Sequence, residues 1–195
     1  MKRLALALLL IATSATADPI TLRVSPTYTN IQFTIYKWSV LKQEGTFREC
    51  TGQVILDPAN ITASRVTLLV PIAGIDTRSK GRDSVLRSDD FFDAEHFPMM
   101  TFASTGITPG PSKDTFQMSG DITIRGVTKR IAIPVKFFGY ASRPGAGGFA
   151  GFETDFTLDR TDFGVNGSKW SGGKLLLSKE VQVHLTVGAV TRQGP

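Results

Sequence analysis

Hydrophobic and polar residues alternate along most of the chain. Ile31, Phe33 and Ile35 are interleaved with Gln32, Thr34 and Tyr36, and Val66, Leu68, Val70 and Ile72 with small or polar neighbours. The same period of two returns at residues 131–137, 152–158 and 181–187. A two-residue period with one apolar face predicts antiparallel strands buried on one side. Shorter or less regular strands are predicted at 20–25, 45–57, 99–107 and 114–125. Within 45–57 the apolar phase shifts between Phe47 and the Val54/Leu56 pair, which predicts a bulge at the intervening Gly52. Turn residues such as Asp57-Pro58-Ala59-Asn60, Pro109-Gly110-Pro111 and Arg125-Gly126 separate the runs. Eight or nine such strands make an all-β sandwich or an up-and-down barrel, and a barrel removes the edges that long strands would expose.

One stretch breaks the pattern. Residues 76–98 are dense in charge and hold no alternation. Ser84 to Asp90 predicts a short helix with Val85, Leu86, Phe91 and Phe92 turned inward. Phe91, Phe92 and Phe97 call for burial in protein, and Arg82 and Arg87 are expected to pair with acids such as Asp76, Asp83 or Asp90.

Composition adds a leader and removes several functions. Among 195 residues, 41% are hydrophobic and 20% charged, which fits a folded domain. Lys2 and Arg3, an apolar run from Leu4 to Ala12, and Ala15-Thr16-Ala17 before Asp18 form a secretory leader pattern. Residues 1–17 are therefore expected to be removed near Ala17, leaving 18–195 as one exported domain. The formal charge is +5; taking away Lys2 and Arg3 leaves +3. No basic stripe is interleaved with aromatics, and export argues against nucleic acid.

The residues that could carry chemistry read as structural. His96 and His184 lie far apart, and neither has a ligand partner at a repeating metal spacing. Cys50 is alone and reads as buried filler. Asp89, Asp90 and Asp93 do not follow a calcium-loop spacing, and no G-x-S-x-G frame surrounds a serine. No catalytic residue, metal or redox cofactor is expected. The interior of an eight-stranded barrel is either filled by side chains or open to one small ligand.

Several motifs resemble a known family. Gly45-x-Phe47, Asp76-Thr77, Arg82-Asp83, Leu86-Arg87-Ser88-x-Asp90-Phe91-Phe92, Phe97-Pro98 and Thr101-Phe102 are similar to signatures of the YceI-like proteins. So are Gly120-Asp121-Ile122-Thr123-Ile124-x-Gly126-Val127-Thr128-Lys129 and Arg160-x-Asp162-Phe163-Gly164. The resemblance spans roughly residues 20–190 in family order. It implies a lipocalin-like antiparallel up-and-down barrel of about eight strands with a short helical insertion. It also implies a hydrophobic tunnel for a polyisoprenoid or quinone-type amphiphilic lipid. Relatives often carry His-Ser before the first long strand and a histidine at its end; Tyr28-Thr29 and Lys37 stand there in this chain.

In such a barrel one parity of each run faces the axis. That assigns Phe33, Ile35, Leu68, Val70, Phe102, Ile122 and Ile124 to the ligand. The later strands add Ile133, Val135, Phe137, Phe152, Phe156, Leu158, Val183 and Leu185. Tyr36, Arg160 and Asp162 are the polar candidates for the head group. The expected function is a non-catalytic periplasmic or secreted protein that transports, stores or sequesters such a lipid. The alternative is an accessory or interaction protein of a membrane redox or stress-response system, in which bound lipid is mainly structural. A homodimer and contact with inner-membrane redox proteins are the partners that follow from these readings.

Overall fold

The computed structural model describes residues 18–145, 147–169 and 177–191; the expected leader lies outside the described residues. Its strands are β1 (Ile20–Val24), β2 (Asn30–Lys37), β3 (Leu41–Phe47), β4 (Thr51–Leu56), β5 (Arg65–Pro71) and β6 (Ile75–Asp76). After helix α1 (Lys80–Arg87) come β7 (Met99–Pro109), β8 (Thr115–Ile124), β9 (Val127–Arg143), β10 (Gly147–Asp159) and β11 (Glu180–Val190).

These eleven segments form an eight-stranded closed antiparallel barrel, because three of its walls are bent strands counted twice. β1 pairs β4 while β2 pairs β3, and β4 pairs β5 while β3 pairs β6. β1/β2, β3/β4 and β5/β6 are thus three long strands, each broken at a corner. β11 closes the ring by pairing β10 on one side and both β2 and β1 on the other. The corners have local causes. Pro26 opens a one-turn 3-10 helix and Pro71 precedes another, and proline has no N–H for a ladder.

The third corner, at residues 48–50, corrects the expected bulge at Gly52. The apolar phase changes because the chain turns there, with Arg48 N–H donating to Gly74 O. Gly52 itself pairs in register with Leu68, and a Cβ would collide with the Thr67 carbonyl oxygen. True register shifts fall instead at Ser104/Gly106 and Gly151/Phe152. Leu22 in β1, Val54 and Leu56 in β4 and Ile72 at the β5/β6 corner are almost fully buried and belong to the main core cluster.

The insertion patches the wall. β5 continues the sheet to β7 through Pro71 and Met99, but β6 pairs only β3 among the described strands, leaving a gap that residues 77–98 occupy. Helix α1 begins four residues before the expected start, because Ser79 caps it by accepting the Arg82 N–H. Phe91 is 4% exposed against Ile124, Phe163 and Val165, and Phe92 meets Phe47 edge-on at 6.0 Å. Phe97 is half-buried beneath Gly126.

The expected arginine–acid pairs are replaced by others. Asp76 is held by Arg48, at 2.6 Å. Asp83 is buried and accepts from Thr77 N and Thr77 Oγ1, while Arg82 donates to Thr77 Oγ1, Thr77 O and Gln43 Oε1. Thr77 stands between the arginine and the acid and satisfies both. Asp90 accepts from Lys169 N and Ser168 Oγ, and Arg87 enters none of the ion pairs recorded among the described residues.

Candidate functional site

The barrel encloses a cavity of about 270 Å³ whose wall is almost entirely carbon. Of the residues assigned inward by alternation, β2 contributes Phe33 and Ile35, β5 Leu68 and Val70, and β7 Phe102. Ile122 and Ile124 come from β8, Ile133 and Val135 from β9, Phe152, Phe156 and Leu158 from β10, and Val183 and Leu185 from β11. The lumen stays open partly because two of its rings lie flat. Gly45 and Gly120 leave room for the Phe33 and Phe102 rings, which a Cβ at either position would displace.

Three assigned residues lie elsewhere. Phe137 follows the inward parity, but it stacks on Phe152 at 5.1 Å and lines a separate void of about 20 Å³ with Ile107 and Phe116. That end of the barrel is packed solid, so Phe137 is end-core rather than cavity wall. Tyr36 is on the opposite parity from Phe33 and Ile35 and is not among the lining residues; its backbone exchanges hydrogen bonds with Ser178. Asp162 is exposed and faces Lys129 at 3.7 Å.

The other end carries the polar groups. The β2–β3 hairpin, the insertion and residues 160–169 and 177–179 all sit there, at the same ends of their strands. Arg160 lines the cavity from that rim and donates to the carbonyl oxygens of Ser178, Val165, Asn166 and Leu177. Burial pushes its guanidinium below the usual arginine range, with Asp159 opposing the shift. Gln43, Thr77 and Arg82 line the rim opposite, linked by the hydrogen bonds already described.

The insertion adds Leu86, Phe91 and Phe92, expected to turn inward but not assigned to the ligand, and they fill a gap created by strand pairing. Thr154 shares the inward phase of Phe152 and Phe156 but was not assigned to the ligand; it lines the cavity, is 7% exposed, and its Oγ1 has no hydrogen-bond partner among the described residues. Cys50 is buried at 2% exposure, and burial pushes its thiol up to about 11, away from reactivity. His96 accompanies Asp93 at 2.7 Å on the surface, an ion pair that raises its pKa. Cross-strand register sets Asp155 opposite His184, at 2.8 Å, with Glu153 close by on the half-exposed outer face. None of these groups pairs with a second shifted group in the cavity.

Comparison with known proteins gives a consistent picture. A family model described as the YceI-like domain matches residues 22–189. A UPF0312 protein of Azotobacter vinelandii is 37% identical over 121 residues, covering 62% of each chain; the matched stretch is thus less than two thirds of that relative's length. The crystal structure of Burkholderia cenocepacia BcnA superposes with a TM-score of 0.75 at 22% identity, over 85% of this chain and 98% of that one. A polyisoprenoid binding domain from Saccharophagus degradans, implicated in plant cell wall breakdown, superposes with a TM-score of 0.70 at 11% identity. That superposition covers 90% of this chain and all of the other.

Proposed function

The chain belongs to the YceI-like domain family, and from that premise we propose a non-catalytic binding protein that holds a long-chain isoprenoid lipid, of polyisoprenol or quinone type, inside the barrel. The observation that carries this reading is the carbon-lined cavity with its polar groups gathered at one rim. Each buried methylene contributes about 0.8 kcal/mol before the cost of ordering the tail, so a wall without charge is sufficient for a long apolar chain. Arg160 and Arg82 at the rim supply donors for an oxygen-bearing head group. The structural neighbour from Saccharophagus degradans carries the description of a polyisoprenoid binding domain, which supports the ligand class. The leader pattern at 1–17 supports export to the periplasm, where such a protein would carry, store or sequester lipid between membranes.

The test places aspartate at Phe33, Val135 and Leu185 in turn, keeping variants that retain the wild-type circular dichroism spectrum. Native mass spectrometry of protein isolated from its own cell envelope should find the lipid adduct on wild type and lose it in each variant. Unchanged adducts in all three would place the lipid outside this cavity.

A second reading rests on the outer surface. Tyr28, Phe149 and Phe138 are 57%, 43% and 56% exposed and lie over Gly188 and Gly151, Tyr28 meeting Phe149 edge-on at 5.7 Å. An exposed aromatic face of this kind suits an accessory protein that docks a second copy of itself or a membrane redox protein, with the lipid as filler. In that case Phe149→Ser would abolish association while leaving the lipid adduct intact.

A further inference from the structure

We propose that the β2–β3 hairpin is a bilayer anchor that docks the rim of the cavity on an anionic phospholipid surface; this deepens the lipid-carrier reading and rests on it for its purpose. The tip is formed by Trp38, Ser39 and Val40, followed by Leu41. Trp38, Val40 and Leu41 are 51%, 74% and 46% exposed. No element among the described residues covers them, although each is a residue that folding ordinarily buries.

The turn is costly for the chain that builds it. Val40 N–H donates to Lys37 O, and the two central residues, Trp38 and Ser39, sit at φ +52° and +59°. Two positive φ values make the type I′ pattern, for which Asn-Gly is the favoured pair and a bulky aromatic is disfavoured. A tryptophan in that conformation, pointing to solvent, contributes little to the fold. Its properties fit the bilayer interface, where indole rings settle at head-group depth.

Position and charge agree with that assignment. Ile35 and Gln43 are cross-strand partners that both line the cavity, so the hairpin rises directly from its wall. At roughly 3.3 Å per residue the tip reaches about 10 Å past that rung. Lys37 bridges to Leu177, another lining residue, and holds its Nζ 4.2 Å over the Trp38 ring. Lys42, Arg78 and Arg82 stand around the same rim. Glu44 faces Lys42 and Arg78, Asp76 faces Arg48, and Asp83 is buried on Thr77, so the surface around the apolar tip remains basic. Apolar insertion flanked by cations is what an anionic leaflet attracts.

Trp38 is its own reporter. In a Trp170→Phe background it is the sole tryptophan, since the chain has two. On vesicles of phosphatidylglycerol and phosphatidylethanolamine its emission should shift to the blue and be quenched by phospholipid brominated on the acyl chain. A second variant, Trp38→Asn with Ser39→Gly, Val40→Thr and Leu41→Thr, should bind these vesicles at least tenfold more weakly in flotation. Because Asn-Gly relieves the turn, its thermal midpoint should hold or rise by roughly 2–4 °C. Its lipid adduct by native mass spectrometry should match wild type. The proposal is overturned if Trp38 emission ignores the vesicles, if the variant floats like wild type, or if the substitutions instead change the oligomeric mass. Absence of any lipid adduct on wild type would sink the carrier reading alone, since flotation is measured without it.

Discussion

At Thr154 a hydroxyl is buried opposite Leu185 in the barrel wall without a hydrogen-bond partner among the described residues. A buried unsatisfied hydroxyl costs about 1–3 kcal/mol, whereas valine keeps the shape and drops the polar atom. Thr154→Val is therefore expected to raise the free energy of unfolding by about 1 kcal/mol in urea titration. If the same change also weakens lipid retention, the hydroxyl meets the ligand. Arg160 is the opposite case, a half-buried cation satisfied among the described residues by four carbonyl oxygens. Arg160→Ala should lower stability by about 2–4 kcal/mol, because it frees the carbonyls of Val165, Asn166, Leu177 and Ser178. Arg160→Lys should recover little of it, since an ammonium cannot reproduce a planar fork of donors. Both outcomes are read from denaturant midpoints at constant m-value.

Among the elements, the insertion shows how a strand protein repairs its own gap. β6 is two residues long and ends where Asp76 turns to Arg48, and the space beyond it is closed by Phe91 and Phe92 instead of by a ladder. Phe91→Ala should cost about 3–5 kcal/mol, the range for emptying a buried aromatic site, and should expose the cavity to an apolar dye such as ANS. A fully retained midpoint would mean that residues 77–98 are an appendage rather than wall. Much of this element was readable from the chain. The aromatics and a helix with Val85 and Leu86 facing inward follow from residues 76–98, but the ion pairing does not, because Thr77 intervenes between Arg82 and Asp83. The β2–β3 hairpin was less legible for a different reason. Trp38-Ser39-Val40 contains no Gly, Pro, Asn or Asp and only Ser39, the weakest of the usual turn formers, so turn chemistry leaves little trace there.

For the whole molecule, closure and cavity are coupled. A ring closed by strand pairing and by the insertion is rigid around its waist, and an apolar cavity inside it is a loss of packing that a ligand restores. A ligand that binds the native state alone stabilises it by about 2.7 kcal/mol at a hundredfold excess over its Kd. Protein stripped of lipid by unfolding and refolding should accordingly melt roughly 5–10 °C lower than protein as isolated. Adding a polyprenol should restore the midpoint, and a short alcohol at the same concentration should not. Equal midpoints before and after stripping would mean that the cavity is not a lipid site.

Alternation is a local property, because successive side chains on a strand must point to opposite faces. The sequence alone therefore determined the strands and the inward parity of residues such as Phe33, Leu68, Val135 and Leu185. It also carried the motif order that resembles the family. Tertiary structure decided what depends on register between distant segments. Phe137 has the inward parity of Val135 and yet packs into a solid end, because the barrel is filled where β7, β8 and β9 converge and open where the loops gather. Pairing of β11 with both β1 and β2 likewise closes the ring across the first corner, and no stretch of any of these strands announces it by itself. Closure of the ring sets which walls face one another, and that long-range register is what turned an alternating chain into a barrel with one filled end and one open rim.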